Sequence, residues 1–269
     1  YKMNKILSHL LMLTFVASMN LGCDREVKPT ETEPNNDYML YATLFHQQAA
    51  ENIALSYQAF NIAKLMLNNS LRNAALTKKL AVVVDVDETV LDNSPYEARC
   101  IIENVNYPMY WKEWCEQASA TPIAGSVDFL KYAESVGVEF FYITNRKEKY
   151  RAVTISNLNK YNFPFVDNDH LMMRTSESNK EPRRELVEKD HHIVLLIGDN
   201  LGDMLYGFDV SNNKSRIEMV DSLKSEFGSR FIMLPNAMYG LWANNLVGDN
   251  NDISKAEKIR LLKSGLTSF

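Results

Sequence analysis

A chain of 269 residues, 46% of them hydrophobic, has room for one large packed domain with an insert or for two small ones. Its formal net charge of −5 argues against a nucleic-acid polymer as partner, which would call for a basic face.

Residues 1–22 place Lys2 and Lys5 ahead of an apolar run at 6–16. This pattern predicts a secretory signal peptide, too short and wrongly flanked for a membrane span, with Met3 as the expected true start. The segment ends in Leu21-Gly22-Cys23, which is similar to a bacterial lipobox and would leave Cys23 as the lipidated first residue of the mature chain. The fit departs from the usual pattern at Asn20, where leucine is common, and an ordinary export signal cleaved nearby is the alternative. The expected location is the bacterial cell envelope, with the chain anchored by lipid to the outer membrane. Residues 23–37 hold two prolines and almost no apolar side chain, and read as a polar tether.

From 38 to 71, Leu40, Leu44, Ile53, Tyr57, Phe60, Leu67 and Leu71 recur at helical steps. These helices are expected to pack on the core, with His46 as a structural residue.

Residues 79–93 read KLAVVVDVDETVLDN. The valine-rich run at 80–84 suits a strand buried on both faces, as in a parallel sheet. Asp85 and Asp87 then stand at the carboxyl edge, where open α/β sheets bind ligands. One carboxylate can attack as nucleophile while its neighbour serves as general acid and then base. Thr89 is expected at a turn or a helix N-terminus and completes a DxDxT string. The acidic strand of a P-loop ATPase would need GxxxxGK[ST], which the chain lacks. Nothing nearby supports a sugar-nucleotide site for a DxD metal clamp, and a capped loop without chemistry remains open.

The next insertion, about 94–122, is aromatic, with Tyr96, Tyr107, Tyr110, Trp111 and Trp114. It is expected to form a small cap with its own core, Trp114 inside and Trp111 on a wall where a planar base stacks. Cys100 and Cys115 lie in it and are left open between free thiols and a disulfide.

A helix is predicted over 123–137, then a strand over 140–143 ending in Thr144, Asn145 and Arg146. Thr144 is placed to hold a phosphoryl oxygen, or else is an ordinary strand-end threonine. Further helices are expected at 150–161 and 183–190, with a short strand at 171–173. Lys180, in SNKEPRR, can neutralise a transferring phosphoryl group, or belong to a solvated charge cluster. A strand at 193–197 runs into Gly198, read as a sharp turn with close ligand approach, then Asp199 and Asp203. Asp85, Asp199 and the backbone carbonyl of Asp87 would suit Mg²⁺, with Asp203 orienting them. The last core strand is predicted at 231–234, leading to Pro235-Asn236 and Tyr239; residues 249–269 form a C-terminal segment with an amphipathic helix and no visible chemistry.

The order strand–DxDxT, strand–Thr, Lys, strand–GDxxxD resembles the four motifs of the haloacid dehalogenase (HAD) superfamily, in its phosphohydrolase branch. The strings ALSYQAFNIAK, DVDETVLDNSPYEA, YITNRK, GDNLGDM and FIMLPNAMYGLW resemble the class C bacterial acid phosphatases, also called the outer-membrane lipoprotein 5′-nucleotidase family. The similarity runs from about 38 to 242. It implies a three-layer α/β sandwich with a parallel Rossmann-like sheet over 38–248 and a small aromatic cap. It also implies Mg²⁺-dependent hydrolysis of phosphomonoesters, nucleoside 5′-monophosphates among them, through an aspartyl-phosphate and with an acidic optimum. Asp85 would be the nucleophile, Asp87 the acid and base, Thr144 and Lys180 the phosphoryl holders, and Asn145, Tyr96, Trp111 and Tyr239 the substrate contacts. Two other classes stay open: a phosphatase for non-nucleotide phosphomonoesters, and a surface lipoprotein that binds a ligand such as haem. The oligomeric state, monomer or dimer, is open as well.

Overall fold

The computed structural model describes residues 35–72, 77–248 and 253–269. The expected signal peptide, Cys23 and most of the tether lie outside them. Five strands form one parallel sheet: β1 (Lys79–Val84), β4 (Glu139–Lys147), β5 (Leu171–Arg174), β6 (His191–Gly198) and β7 (Phe231–Met233). Their order is β5-β4-β1-β6-β7, which puts the valine-rich strand in the middle. Side chains alternate across the pleat. Val82, Val84, Phe140 and Tyr142 enter one core, while Ala81, Val83, Phe141 and Ile143 enter the other. Both faces are therefore apolar, which is why these strands read as continuous hydrophobic runs.

Helices cover each face. On the first, α2 (Ala50–Leu71), α5 (Ser126–Ser135) and α6 (Arg151–Lys160) contribute Phe60, Leu67, Phe129, Leu130 and Leu158. On the second, α7 (Glu181–Asp190) and α8 (Asn213–Ser222) contribute Val187 and Met219 beside Met204 and Phe208. The architecture is the expected three-layer α/β sandwich.

Several local boundaries differ from expectation. Ala49, extended at φ −80° and ψ 124°, splits the first helical stretch into α1 (Leu40–Gln48) and α2. The helix expected from residue 123 begins at Ser126, after a turn in which Gly125 takes φ 85°, and Thr121–Pro122 before it is strand β3. β3 pairs antiparallel with β2 (Leu91–Asp92). Thr89 lies in a turn, one of the two placements expected for it. The polar helix α8 was not anticipated from periodicity, although Asn212 caps it by accepting from the Ser215 N–H at 2.8 Å.

The β2–β3 pair closes the neck of the cap, which holds α3 (Ser94–Ile102) and α4 (Trp111–Gln117). The cap is held from outside. The Asn36 side chain donates to the Cys100 carbonyl at 3.2 Å. His46 lies 3.3 Å from the Asp92 carboxylate at the neck, so this histidine has a partner. From α10 (Lys255–Ser264), Lys255 reaches the Asn104 carbonyl at 2.6 Å. Cys100 and Cys115 are separate buried thiols. No described helix is long and apolar enough to cross a membrane.

Candidate active site

Central strand β1 ends one residue before Asp85, whose N–H donates to the Ile197 carbonyl at 2.9 Å and so docks it against the end of β6. The acids of both strands thus reach one sheet edge. Ligand oxygens of Asp85, Asp199 and Asp203 lie within 4.8 Å of one another. Burial is the chief force on these groups: it holds the Asp85 carboxyl well above the usual range even with Lys180 beside it, and Asp203, Asp199 and Asp87 add to the rise. Burial and the neighbouring Asp203 push Asp199 up to about 7. Buried carboxylates crowded in this way favour a cation among them. The cluster is compatible with a divalent metal, with oxygen donors that suit a hard ion.

Lys180, the residue capping the N-terminus of α7, spans the cluster. Its ammonium contacts the Asp85 carboxylate and lies 2.7 Å from Asp203 Oδ1. Asp203 is engaged at its other oxygen too, where Oδ2 accepts from the Asn200 N–H at 2.9 Å. With both oxygens occupied, Asp203 is better suited to orient the cluster than to offer a free ligand. A Cβ at position 198 would collide with the Asp203 carboxylate, so glycine there makes room for that side chain. Gly198, expected to give a sharp turn and close ligand approach, is needed here for the space that the Asp203 side chain takes. Asp199 is held from two sides, by the Thr89 hydroxyl at 3.2 Å and by Asn236 Nδ2 at 2.8 Å.

Asp87 faces a different set. Its Oδ1 accepts from Arg146 Nε at 2.8 Å and from Asn93 Nδ2 at 2.7 Å. Thr144, fully buried, turns its hydroxyl toward Asp87 Oδ2 at 3.5 Å and accepts from the Arg146 N–H at 3.0 Å. The loop is tied beneath by Glu88, a buried residue in the left-handed region at φ 55°, whose Oε1 accepts from the Asn93 N–H at 2.8 Å. Burial, with Asp87 and Asp199 near, raises the Glu88 carboxyl well above the usual range.

Of the expected substrate contacts, Trp111 is partly buried in the cap, within 4.9 Å of Tyr96 and 6.0 Å of Tyr107 between ring centroids. Tyr96 itself is only 2% exposed. Its ring fills the cap beneath Trp111 and offers no free face, which corrects the expectation that it meets substrate. Trp114, expected inside, is partly buried like Trp111 and donates from Nε1 to Asn93 Oδ1 at 2.8 Å. Asn145 is exposed at the strand end and accepts from Arg183 at 2.7 Å. Tyr239 is half-buried, in a loop that runs beside the acids: Asn236 holds Asp199, and Gly240 lies against the Asn200 side chain.

The charge cluster at 178–184 is not a solvated face. Arg183 donates to the Thr144 carbonyl at 2.6 Å, and Arg184, buried, donates to the Asp203 carbonyl at 2.9 Å. One short helix therefore carries Lys180 into the cluster and clamps the loops on both sides of it. Arg146, Asn93, Asn236, Arg183 and Arg184 went unassigned in the sequence reading. Their only sequence signal is proximity to motif residues.

A parallel sheet with acids from two neighbouring strands, a buried lysine and a buried threonine from a third strand defines a HAD-type phosphatase centre. The model of HAD superfamily subfamily IIIB (acid phosphatase) matches residues 5–242, and the chain belongs to that family; by family it is a phosphomonoesterase. The class C acid phosphatase of Bacillus anthracis, solved both with tungstate bound and without, is 43% identical, with a TM-score of 0.84 over 87% of this chain and 98% of that one. Acid phosphatase 1 of Solanum lycopersicum is 29% identical over 58% of this chain. A stem 31 kDa glycoprotein of Glycine max is 28% identical over 46% of it. The chain spans little more than half the length of these plant relatives, 57% and 51%.

Proposed function

We propose that this chain hydrolyses phosphomonoesters, nucleoside 5′-monophosphates among them, through an aspartyl-phosphate on Asp85, with Mg²⁺ as its cation. The observation that carries the reading is the convergence of Asp85, Asp199, Asp203 and Lys180 at the end of the central strand. The tungstate of the Bacillus anthracis structure supports it as well, since tungstate is a tetrahedral oxyanion like phosphate.

An Asp85 carboxylate oxygen attacks phosphorus and the bond from phosphorus to the ester oxygen breaks. Asp87 gives its proton to that leaving oxygen. Water then attacks the acyl phosphate and passes a proton back to Asp87, freeing phosphate and restoring both acids. Lys180 and the Thr144 hydroxyl hold phosphoryl oxygens as charge moves between them. Bound by Asp85, Asp199 and the Asp87 carbonyl, Mg²⁺ would supply positive charge against those oxygens. The half-open Trp111 and Tyr107 rings, with the Tyr239 loop across the acids, suit a leaving group with a flat ring.

Phosphate release from nucleoside monophosphates, glycerol phosphate and p-nitrophenyl phosphate, with and without chelator, tests the reading. Release that stops with chelator and returns with Mg²⁺ is expected; no release from any ester would end it. Lipid anchoring through Cys23 is part of the proposal, and Cys23→Ser should free the chain from membranes. A wild-type chain already soluble in its host would sink that part.

A further inference from the structure

We infer that Arg146 is a positioning residue for Asp87, fixing the carboxylate so that one oxygen, Oδ2, exchanges the proton with the leaving group. This rests on the reading of Asp87 as general acid. The asymmetry of the contacts carries it. Oδ1 accepts from Arg146 Nε at 2.8 Å and from Asn93 Nδ2 at 2.7 Å, with Arg146 NH2 also 2.8 Å away. Two hydrogen bonds use both lone pairs of one carboxylate oxygen and leave it no room for a proton. Among the described residues, Oδ2 meets only the Thr144 hydroxyl, at 3.5 Å, the outer limit of a hydrogen bond.

The guanidinium is itself locked. NH1 donates to Thr154 Oγ1 at 3.3 Å, NH2 to Asn93 Oδ1 at 3.1 Å, and the Trp111 ring lies 5.6 Å from its central carbon. Asn93 Oδ1 also accepts from Trp114 Nε1. The proton donor is thus tied through Arg146 and Asn93 to both tryptophans of the cap. Only 2% of the Arg146 side chain is exposed, so this charge is wholly committed to these partners.

A buried ion pair that merely stabilised the fold would show the same contacts, and the leaving group separates the two roles. Dinitrophenyl phosphate departs without needing a proton, whereas glycerol phosphate needs one. The kcat/KM of the full chain would be measured on both esters for wild type, Arg146→Ala, Arg146→Lys and Asp87→Asn, with thermal melts for folding. Arg146→Ala should lose roughly 100-fold or more on glycerol phosphate and under about 10-fold on dinitrophenyl phosphate, within the range of general-acid catalysis. Arg146→Lys, which keeps the charge and is the variant to read if Ala does not fold, should show the same imbalance in smaller degree. Added guanidinium should restore part of the glycerol phosphate rate in Arg146→Ala. Equal losses on both esters would make the contact structural. A selective gain on glycerol phosphate would show that Arg146 only keeps Asp87 ionised. Either outcome overturns the inference while the Asp87 reading stands. An Asp87→Asn variant with no leaving-group dependence would overturn both.

Discussion

The floor of the site and its cap are built on opposite terms. The floor draws on separate parts of the chain: Asp85 after β1, Thr144 in β4, Asp199 after β6 and Lys180 at the head of α7. Asp85, Thr144 and Lys180 are buried and Asp199 is half-buried, and short polar contacts tie Lys180 to the acids. The cap comes from one continuous insertion, packs through aromatic rings, and leaves Tyr107 62% exposed. Phosphate is the same in every phosphomonoester, so the floor can be rigid and specific. The leaving group varies, and stacking on an aromatic face tolerates variety. On the proposed function, reaction and substrate choice would be carried by different layers, joined at Asp87.

The deepest cut at the floor is Asp85→Asn. An amide cannot form the acyl phosphate, so kcat should fall by roughly 10⁴-fold or more on every ester alike. The fold should survive, because an amide fills the same space as the buried carboxyl. Normal turnover, with deamidation excluded by mass spectrometry, would sink the mechanism.

Damage to the cap should be smaller and selective. Tyr239→Ala or Trp111→Ala should lower kcat/KM for nucleoside monophosphates by roughly 5- to 150-fold, the kinetic equivalent of about 1–3 kcal/mol of stacking. Glycerol phosphate, which has no ring, should lose far less in Tyr239→Ala. Trp111 also stands over Arg146, so its loss should reach glycerol phosphate as well. Tyr239 is the cleaner probe, and equal losses on both esters in Tyr239→Ala would erase the division between floor and cap.

The smallest effect is on stability. Burial lifts Asp199 to about 7 and raises Asp85, so in the metal-free fold both keep protons that the unfolded chain releases near pH 4. The folded state then binds more protons, and this contribution to stability falls as pH rises from about 4 toward about 7. Mg²⁺ should take the place of those protons, raising the melting temperature more at pH 7 than at pH 5. The slope in chelator should flatten in Asp199→Asn. A Mg²⁺ shift of equal size at both pH values would show that these carboxyls are not its ligands.

Much of the floor was legible because of how parallel sheets are built. Strands buried on both faces must be apolar throughout, so β1, β4 and β6 stood out as runs, and the acids and threonine closing them marked one edge. The helices that pack on those faces were legible by period, except where polar sequence hid α8. What failed were assignments that depend on what stands opposite a side chain in the fold. Tyr96 reads like any cap aromatic until Trp111 is seen to cover it. Arg146 meets Asp87 across 59 residues, and Asn236 meets Asp199 across 37. Gly198 looks like a turn until the Asp203 side chain is seen to occupy the space beside it.

The sequence by itself determined the class of fold, the edge that carries the chemistry and the identity of the acids there, because periodicity and strand ends are local properties. Tertiary structure alone decided which charges are paired, which oxygen of Asp87 is left free and which aromatics keep an open face. Each of those depends on what stands opposite a side chain. In a parallel sheet, that neighbour comes from another strand, many residues away.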